Sequence, residues 1–563
     1  MNNKPIIYQL FPRWFTNYNE TRKRFGTREE NGCGRFVDIN ERALKSIVDL
    51  GATHVWYTGI IRHATAQYNH PAITKGLAGS PYAITDYYDV DPDLAKNEAK
   101  RMEEFEALVK RTHEAGLDVL IDFVPNHVSR EYKSVCKPAG VEDLGETDHP
   151  EWAFSPLNNF YYIPGEKFTM DKDLQGYEEF PAKVTGNDCF TSHPGENDWY
   201  ETVKLNYGVF YQGGREKQFD PIPNTWVKMR DILLFWAGKG IDGVRVDMAE
   251  MVPVEFFAWA IAQVKKKHKK FIFIGECYDP NQYDAYLAAG FDYLYDKVGM
   301  YDYLRGVTSK GWPAEGITRQ WMQHGDERLK HMLYFLENHD EQRLASGFFC
   351  GDGRCAEPAM IVAATLNQCP VMIYSGQELG ERGMDMEGFS GIDGRTTIFD
   401  YWGVKSMQKW TNKGKFDGAK MSDDQRELRA FYQRLLTLAR DDKAIQKGQM
   451  YDITYAQGEG FDKQQHYAFI RHIKGETLLV IVNFHDREQH IHVRLPNDAF
   501  VYLGMEGKAN ATATDLLTGD KQALAFVPDG MVEVTLQAWK GMILRMSSVQ
   551  RCPLVVTVIR LPV

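Results

Sequence analysis

The sequence predicts an α/β fold: a (β/α)8 TIM barrel with a small domain inserted after the third strand and an all-β sandwich at the C-terminus. Three observations lead to this prediction. A unit of amphipathic helix, glycine and short apolar strand recurs, a long segment rich in Pro, Gly, Asn and Asp interrupts it, and short alternating strands follow it. With 563 residues, the chain is too long for one ordinary core.

The recurring unit indicates a parallel sheet. Residues 43–50 form one amphipathic helix, Gly51 follows, and an apolar strand occupies 54–57. Glycine after a helix supplies the left-handed position that ends it, and mostly apolar strands are typical of a parallel sheet covered on both faces. A doubly wound open sheet is the structural alternative. The eight predicted strands are 6–10, 54–57, 117–124, 241–247, 271–276, 291–295, 332–337 and 371–374.

Two regions that lack this recurring unit define the domain boundaries. Residues 128–215 have no long helical period, and a loop of that length must carry structure of its own. We therefore assign 1–127 and 216–440 to the barrel and 128–215 to an inserted domain. The remaining residues, 441–563, are assigned to the β-sandwich. Its predicted strands are 467–471, 477–483, 490–495 and 531–536.

The charge balance argues against a nucleic-acid partner. The formal net charge is −11, and the densest positive run, 265–270, directly precedes an apolar strand, as a solvated helix end would. Proteins that neutralise phosphates need a basic stripe. The sequence contains no run of about 18 apolar residues that would indicate a membrane span.

The cysteines and the N-terminus predict a cytoplasmic protein. Eight cysteines are scattered along the chain without a C-x-x-C pair, which favours reduced thiols over a zinc site or a disulfide framework. The N-terminus runs directly into an apolar strand and has no signal-peptide core. We expect no organic cofactor.

Ionisable residues occupy the C-terminal ends of several predicted strands, where barrels of this kind build their active sites. One such carboxylate is usually a helix cap or a surface residue, but several from non-contiguous strands that converge on one rim are hard to explain in that way. These residues are Asp122, Asn126 and His127 after strand three, Arg245 and Asp247 on strand four, Glu276 on strand five, and His339 and Asp340 on strand seven.

Two of these carboxyls suit glycosidic cleavage. Arg245 and Asp247 are two residues apart on a strand and face the same side, so the guanidinium is expected to keep Asp247 ionised. Glu276 ends an apolar strand, where a raised pKa would suit a general acid. Neighbouring strands lie about 4.8 Å apart, which permits the ~5–5.5 Å carboxyl separation of a retaining enzyme.

Four segments resemble, in order, the signature segments of the α-amylase family, glycoside hydrolase family 13. They are 122–127 (DFVPNH), 243–247 (GVRVD), 275–276 (GE) and 337–340 (ENHD). Segments 82–87 (YAITDY), 203–206 (VKLN) and 376–379 (GQEL) resemble further parts of that family. The resemblance extends over residues 6 to about 440 and implies an α-glucan or maltooligosaccharide substrate.

The resemblance implies a role for each matching residue. Asp247 would be the nucleophile, Glu276 the acid and then the base, and Asp340 a stabiliser of the transition state. Arg343 would reach the neighbouring sugar, and Asp122 would orient Arg245. The sugar ring in the site would be surrounded by Tyr82, His127, Arg245 and His339.

The sequence departs from the family at two positions. Glu250 and Met251 stand where many α-amylases carry Lys-His, which puts the leaving-group side and a calcium site in doubt. Asn126 matches a calcium ligand of the family, so calcium is a candidate cofactor. The segment 204–206 resembles that of members that act on cyclic or branched maltodextrins.

Three hypotheses of function follow. The first is retaining hydrolysis of α-1,4-glucosidic bonds in starch-derived maltodextrins by double displacement. The second keeps the chemistry but makes the protein an α-glucosidase, a neopullulanase or cyclomaltodextrinase, or a glucanotransferase. The third is a non-catalytic binding subunit, which the presence of Asp247, Glu276 and Asp340 disfavours.

Overall fold

The computed structural model describes residues 4–548 and contains a closed barrel of eight parallel strands. Each strand pairs with its neighbours in chain order, and the eighth returns to the first, with Ile6 opposite Val371. All eight predicted strands are confirmed, and the alternative of an open sheet is wrong. The strands are β1 Ile6–Leu10, β2 His54–Tyr57, β3 Asp118–Phe123, β4 Gly243–Val246, β5 Ile272–Gly275, β6 Tyr293–Tyr295, β7 Met332–Phe335 and β8 Val371–Tyr374.

Helices cover the outside of the barrel; Glu41–Leu50 buries one face, whereas Glu357–Thr365 is buried at every residue. In Glu41–Leu50, the Asn40 side chain accepts the N–H of Ala43, and Gly51 ends the helix at φ 109°. The other helices of seven or more residues in the barrel region are Arg101–Glu114, Asn224–Gly238, Val254–Lys267, Asp302–Lys310, Glu357–Thr365, Lys405–Thr411 and Asp423–Asp441. Shorter ones are Pro12–Phe15, Arg28–Asn31, Tyr283–Ala288, Ile317–Met322, Gly325–Leu329 and Lys443–Lys447.

The strand register brings the predicted site residues to one end. Val246 of β4 pairs with Gly275 of β5, so the next residues, Asp247 and Glu276, leave the barrel side by side. Arg245 lies opposite Asp122 of β3 in the same way. Every residue of β1, β7 and β8 is buried, which explains why these strands read as continuous apolar runs.

The segment between β3 and β4 folds into short antiparallel pairs around a small core. The paired strands are His127–Ser129 with Thr202–Lys204, Tyr162–Ile163 with Ala182–Lys183, and Val209–Phe210 with Glu216–Lys217. A further pair, Ile61–His63 with Ile84–Val90, lies between β2 and β3. The predicted limits 128 and 215 cut through the first and the last pair of the insertion, because strands of two or three residues leave no periodic signal.

The C-terminal region forms a six-stranded sheet and a two-stranded sheet over a separate apolar core. In sheet order the larger sheet contains Gln449–Asp452, His466–Ile473, Glu476–Asn483, Gly541–Ser548, Lys508–Asp515 and Lys521–Phe526. Gln489–Arg494 pairs with Met531–Leu536. The β-sandwich is confirmed, with two differences: four strands accompany the four that were predicted, and the helix Asn497–Leu503 lies within it.

One cysteine pair corrects the expectation of reduced thiols. Cys350 and Cys355 form a disulfide. The other cysteines in residues 4–548 are free, namely Cys33, Cys136, Cys189, Cys277 and Cys369. Cys552 lies outside the described residues. Among residues 4–548, no helix is both long enough and apolar enough to cross a membrane.

Candidate active site

A cavity of about 380 Å³ opens at the C-terminal end of the barrel. Its walls come from strand ends, from the inserted domain and from the loop after β8. Six predicted residues line it: Tyr82, His127, Asp247, Glu276, His339 and Asp340. Arg245 and Asp122 lie buried against these residues.

Arg245 is the centre of the site and is 1% exposed. Its Nη1 donates to Oδ1 of Asp247 at 2.8 Å, and its Nη2 lies 2.9 Å from Oε2 of Glu276. Its Nε donates to the hydroxyl of Tyr295 at 3.1 Å. A single guanidinium therefore holds the two predicted catalytic carboxyls on the same side of the barrel mouth.

Backbone bonds fix the segment after Asp247 against the segment after β5. The N–H of Met248 donates to Oε2 of Glu276 at 2.8 Å, and the N–H of Ala249 donates to the Glu276 carbonyl at 3.0 Å. Met248 adopts φ 43°, a left-handed conformation that a long side chain rarely takes. Such backbone strain is typical of functional sites, and here it directs an N–H toward the predicted acid.

The pKa of Asp247 is shifted against the direction expected from Arg245 alone. Burial and the neighbouring Glu276 raise the pKa of Asp247 well above its ordinary value, although Arg245 acts in the opposite direction. The prediction that Arg245 keeps this carboxyl ionised therefore underestimated desolvation and like-charge repulsion. Arg245 alone does not decide which of the two carboxyls carries a proton.

Asp122 binds aromatic side chains more closely than it binds Arg245. Its oxygens accept from Nε1 of Trp56 at 3.0 Å and from the Tyr82 hydroxyl at 3.1 Å, whereas Nη1 of Arg245 is 3.5 Å away. Burial raises the pKa of Asp122 to about 6. The Tyr82 ring stacks on His339 with centroids 5.1 Å apart, so Asp122 orients the floor of the cavity as well as the guanidinium.

Both predicted histidines are neutral hydrogen-bond donors. Burial, assisted by Arg245, lowers the pKa of His339 to about 3, and burial with Lys204 lowers that of His127 to about 3. Nε2 of Gln9 donates to Nδ1 of His339 at 2.9 Å, so the imidazole proton lies on Nε2. That Nε2 is 3.1 Å from Oδ2 of Asp340.

Arg343 is not placed at the cavity, which corrects its assignment as a sugar contact. Its Nη1 donates to Glu337 at 2.8 Å, its Nη2 to the Ser375 carbonyl at 3.0 Å and its Nε to Thr396 at 3.0 Å. The side chain is buried with every nitrogen engaged. Arg343 therefore supports the loops around the site rather than the substrate.

The surroundings of Asn126 do not fit a calcium ion. Oδ1 of Asn126 accepts from Nζ of Lys204 at 2.8 Å, and the same Nζ lies 2.6 Å from Oδ1 of Asp188. Nδ2 of Asn126 donates to the Gly186 carbonyl. The oxygens that a hard cation would need are already bound to an ammonium group.

Sequence reasoning missed several residues at the site. The hydroxyl of Tyr278 donates to Oε1 of Glu276, and Tyr278 lines the cavity. Lys75 and Glu201 form an ion pair of 3.0 Å at the cavity wall. Trp199 packs against His127 with ring centroids 5.2 Å apart. Tyr278 could have been predicted from its position two residues after Glu276. Lys75, Glu201 and Trp199 could not, because they lie in loops without a periodic signal.

A larger cavity, of about 640 Å³, lies between the barrel and the C-terminal domain. Of its two carboxyls, Asp452 is already bound by Thr318 and Tyr467, and Asp326 is exposed on the helix Gly325–Leu329. Leu329 and Lys330 in its wall lie just before β7, which begins at Met332, so the cavity lies at the opposite end of the barrel from the carboxyl pair. Its position and bonding do not suggest catalysis.

Comparison with known proteins agrees with this geometry. A family model described as "Alpha amylase, catalytic domain" matches residues 9–473. Neopullulanase 2 of Thermoactinomyces vulgaris is 23% identical over 558 residues, which cover 96% of this chain and 77% of that protein. The noncanonic maltogenic α-amylase AmyB from Thermotoga neapolitana shares the fold at a TM-score of 0.63 and 19% identity, covering 96% of this chain and 98% of its own. An α-amylase from Geobacillus thermoleovorans, complexed with acarbose, does so at 0.63 and 18%, covering 97% and 98%.

Proposed function

Because the chain belongs to the α-amylase family of glycoside hydrolases, we propose that it cleaves α-1,4-glucosidic bonds in maltodextrins by double displacement. The observation that carries the proposal is the attachment of Asp247 and Glu276 to the two ends of the Arg245 guanidinium. Carboxyls on adjacent strands in matched register leave little room for a water molecule between them, which favours a covalent intermediate and retention of configuration.

In the first step, Asp247 attacks the anomeric carbon while Glu276 protonates the departing glycosidic oxygen. Oδ1 of Asp247 is bound to Arg245, which leaves the second oxygen for the attack. In the second step, Glu276 takes a proton from water, and the water oxygen displaces Asp247 from the sugar. Arg245 stays between the two carboxyls and stabilises whichever of them is charged.

The remaining predicted residues would act on the same sugar ring. The Asp340 side chain is 46% exposed and can accept hydroxyl protons. The neutral His339 and His127 can donate through their N–H groups, and the face of Tyr82 can pack under the ring. Hydrogen bonds to hydroxyls that strengthen as positive charge develops contribute to catalysis of this kind.

A second candidate function is action on cyclic or branched maltodextrins. It is supported by the segment 203–206 (VKLN) and by the match to Neopullulanase 2 over 96% of this chain. An α-glucosidase or a glucanotransferase would use the same carboxyls. The α-glucosidase would release glucose from chain ends with water as acceptor, and the glucanotransferase would pass the glycosyl group to a sugar hydroxyl.

Two measurements test the proposal. NMR during the first turnovers should show α-anomeric product from an α-linked substrate, and β-anomeric product would overturn double displacement. Chromatography of early products from soluble starch, maltoheptaose, pullulan and cyclodextrin should separate the candidate activities. Preferred cleavage of cyclodextrin would favour the second candidate over the first.

We also propose that the enzyme works in the cytoplasm. Five free thiols within residues 4–548 fit a reducing compartment, and the Cys350–Cys355 disulfide is the observation against it. Cell fractionation with immunodetection would test this, and recovery in the medium would contradict it.

A further inference from the structure

The two oxygens of the Glu276 carboxyl have different partners. Oε2 accepts the N–H of Met248 at 2.8 Å and lies 2.9 Å from Nη2 of Arg245. Oε1 accepts the hydroxyl of Tyr278. The Met248 and Arg245 groups can only donate, whereas a tyrosine hydroxyl can donate or accept. A proton on Oε2 would face two donors, so the acidic proton of Glu276 belongs on Oε1, next to Tyr278.

Tyr278 is itself held by a residue that follows the nucleophile strand. Oε2 of Glu250 accepts the N–H of Tyr278 at 3.0 Å and the N–H of Asp279 at 2.9 Å. Glu250 is one of the two positions at which the sequence departs from the family. The contact ties the segment after β5 to the segment after β4 and fixes where the Tyr278 ring enters the cavity.

We propose that Tyr278, held in place by Glu250, is a positioning residue that directs the proton of Glu276 between its two roles. The inference rests on the proposed function, in which Glu276 is first acid and then base. The hydroxyl donates to the carboxylate while Glu276 acts as base. When Oε1 carries the acidic proton, the hydroxyl must turn its own hydrogen away and leave that proton free to reach the glycosidic oxygen.

Several charged or titratable groups surround Glu276. They are Arg245 and Asp247 from the fourth strand, Tyr278 on the segment of Glu276 itself, Tyr295 on β6 and His339 after β7. Burial and the nearby Glu276 raise the pKa of Tyr278, so its hydroxyl keeps its proton and remains a donor. The Tyr278 hydroxyl takes no part in the ion pairs of Arg245 with the two carboxyls.

Replacement of Tyr278 by phenylalanine gives the most direct test. Loss of a donor to the carboxylate favours the protonated acid, so the alkaline limb of the kcat/KM pH profile should move up by about one pH unit. Tyr278→Phe should lower kcat most on activated aryl glycosides, where the base-catalysed second step limits turnover. Tyr283→Phe is the matched control, because the Tyr283 hydroxyl is buried, has no hydrogen-bond partner and does not line the cavity.

Variants of Glu250 test whether this residue holds Tyr278 in place. Glu250→Gln keeps a carbonyl oxygen that can accept both N–H groups, and it should retain the wild-type profile. Glu250→Ala should reproduce the shift of Tyr278→Phe, because the segment loses its anchor. A residue with only a structural role would lower kcat or stability without moving the pH limb.

The outcomes are distinguishable. An unchanged alkaline limb in Tyr278→Phe, together with lost turnover in Glu276→Gln, would overturn the role of Tyr278 alone. Full starch activity in Glu276→Gln would overturn the proposed function itself. Equal shifts in Tyr278→Phe and Tyr283→Phe would show that the effect is not specific to the hydroxyl on Glu276.

Discussion

The two ends of the barrel handle buried charge in opposite ways. At the C-terminal end, which we call the acidic end, Asp122, Asp247 and Glu276 share a single guanidinium, that of Arg245. At the N-terminal end, which we call the basic end, Lys4 and Arg471 are buried against backbone carbonyls.

At the basic end, backbone carbonyls accept hydrogen bonds from both buried cations. Nζ of Lys4 donates to the carbonyls of Ala364 and Asn367 at 2.6 and 2.9 Å, and Nη1 of Arg471 donates to that of Leu366 at 2.7 Å. These carbonyls end the helix Glu357–Thr365, where the helix dipole favours positive charge.

At the acidic end, burial raises the pKa of Asp122, and burial together with repulsion from Glu276 raises that of Asp247. Burial also lowers the pKa of Lys4 to about 7, so a shifted pKa does not by itself separate the two ends. What separates them is that Asp247 and Glu276 line a cavity, as perturbed groups at functional sites do, whereas Lys4 and Arg471 donate to backbone carbonyls away from it. The comparison therefore predicts that mutations at the acidic end change activity and that mutations at the basic end change stability.

The largest effect is expected from Asp247→Asn. Loss of the nucleophile should reduce kcat by about 10⁴-fold or more, as for other catalytic groups that form covalent intermediates. The free energy of unfolding should stay the same or rise, because a buried carboxyl with a raised pKa is replaced by a neutral amide of the same shape. Steady-state kinetics and urea unfolding measure the two. Substantial residual turnover, or a marked loss of stability, would contradict the assignment.

The basic end should show the reverse pattern. Arg471→Met removes the side-chain donor from three buried carbonyls, those of Leu366, Ala444 and Ile445, and should lower the free energy of unfolding by about 3 kcal/mol. The Ala444 carbonyl keeps the N–H of Gly448. kcat and KM should remain those of the wild type, since Arg471 lies far from the carboxyl pair. A tenfold loss of kcat/KM in the folded variant would break the comparison.

Stability should depend on pH with opposite sign at the two ends. Burial raises the pKa of Asp122 from its ordinary 3.8 to about 6, so the folded chain binds more protons and stability falls as the pH rises through this window. Burial lowers the pKa of Lys4 from 10.5 to about 7, so the folded chain binds fewer protons and stability rises with pH from about 7 upward.

Single variants isolate each contribution, which is on the order of a few kcal/mol. Asp122→Asn should flatten the fall in the free energy of unfolding between about pH 4 and 6. Lys4→Met should flatten the rise above about pH 7. Slopes that persist in both variants would show that other groups control them.

The fold was predictable because its strands are buried on both faces. Such strands appear as short apolar runs whatever lies around them, and all eight were located. Strands such as Lys508–Asp515 were missed because their small and polar residues are alternately exposed and carry little apolar signal. The predictable part of the site was likewise the part at the strand ends, including Asp247 and Glu276.

The rest of the site depends on three-dimensional neighbours that sequence spacing does not encode. Gln9 lies inside an apolar strand and contacts His339, which is 330 positions away. Arg343 follows Asp340 by three residues, but the turn directs it toward Glu337. The pKa shift of Asp247 could not be predicted, because it depends on the degree of desolvation, which only the packed structure supplies.

Lys204, near the acidic end, is a buried cation bound to oxygen acceptors, as Lys4 and Arg471 are at the basic end. Its side chain is 2% exposed, and its ammonium group bridges Asn126 and Asp188, where a calcium ion would need the same oxygens. We therefore propose that calcium does not stabilise this junction, and a chelator should leave the melting temperature of the wild type unchanged. Lys204→Ala should melt at a lower temperature, and added calcium should recover part of that loss, because the variant frees oxygen ligands for a hard cation. Lys204→Arg, which keeps the charge, should not respond to calcium. A wild-type melting temperature that drops with the chelator would show that a metal site exists despite the ammonium group.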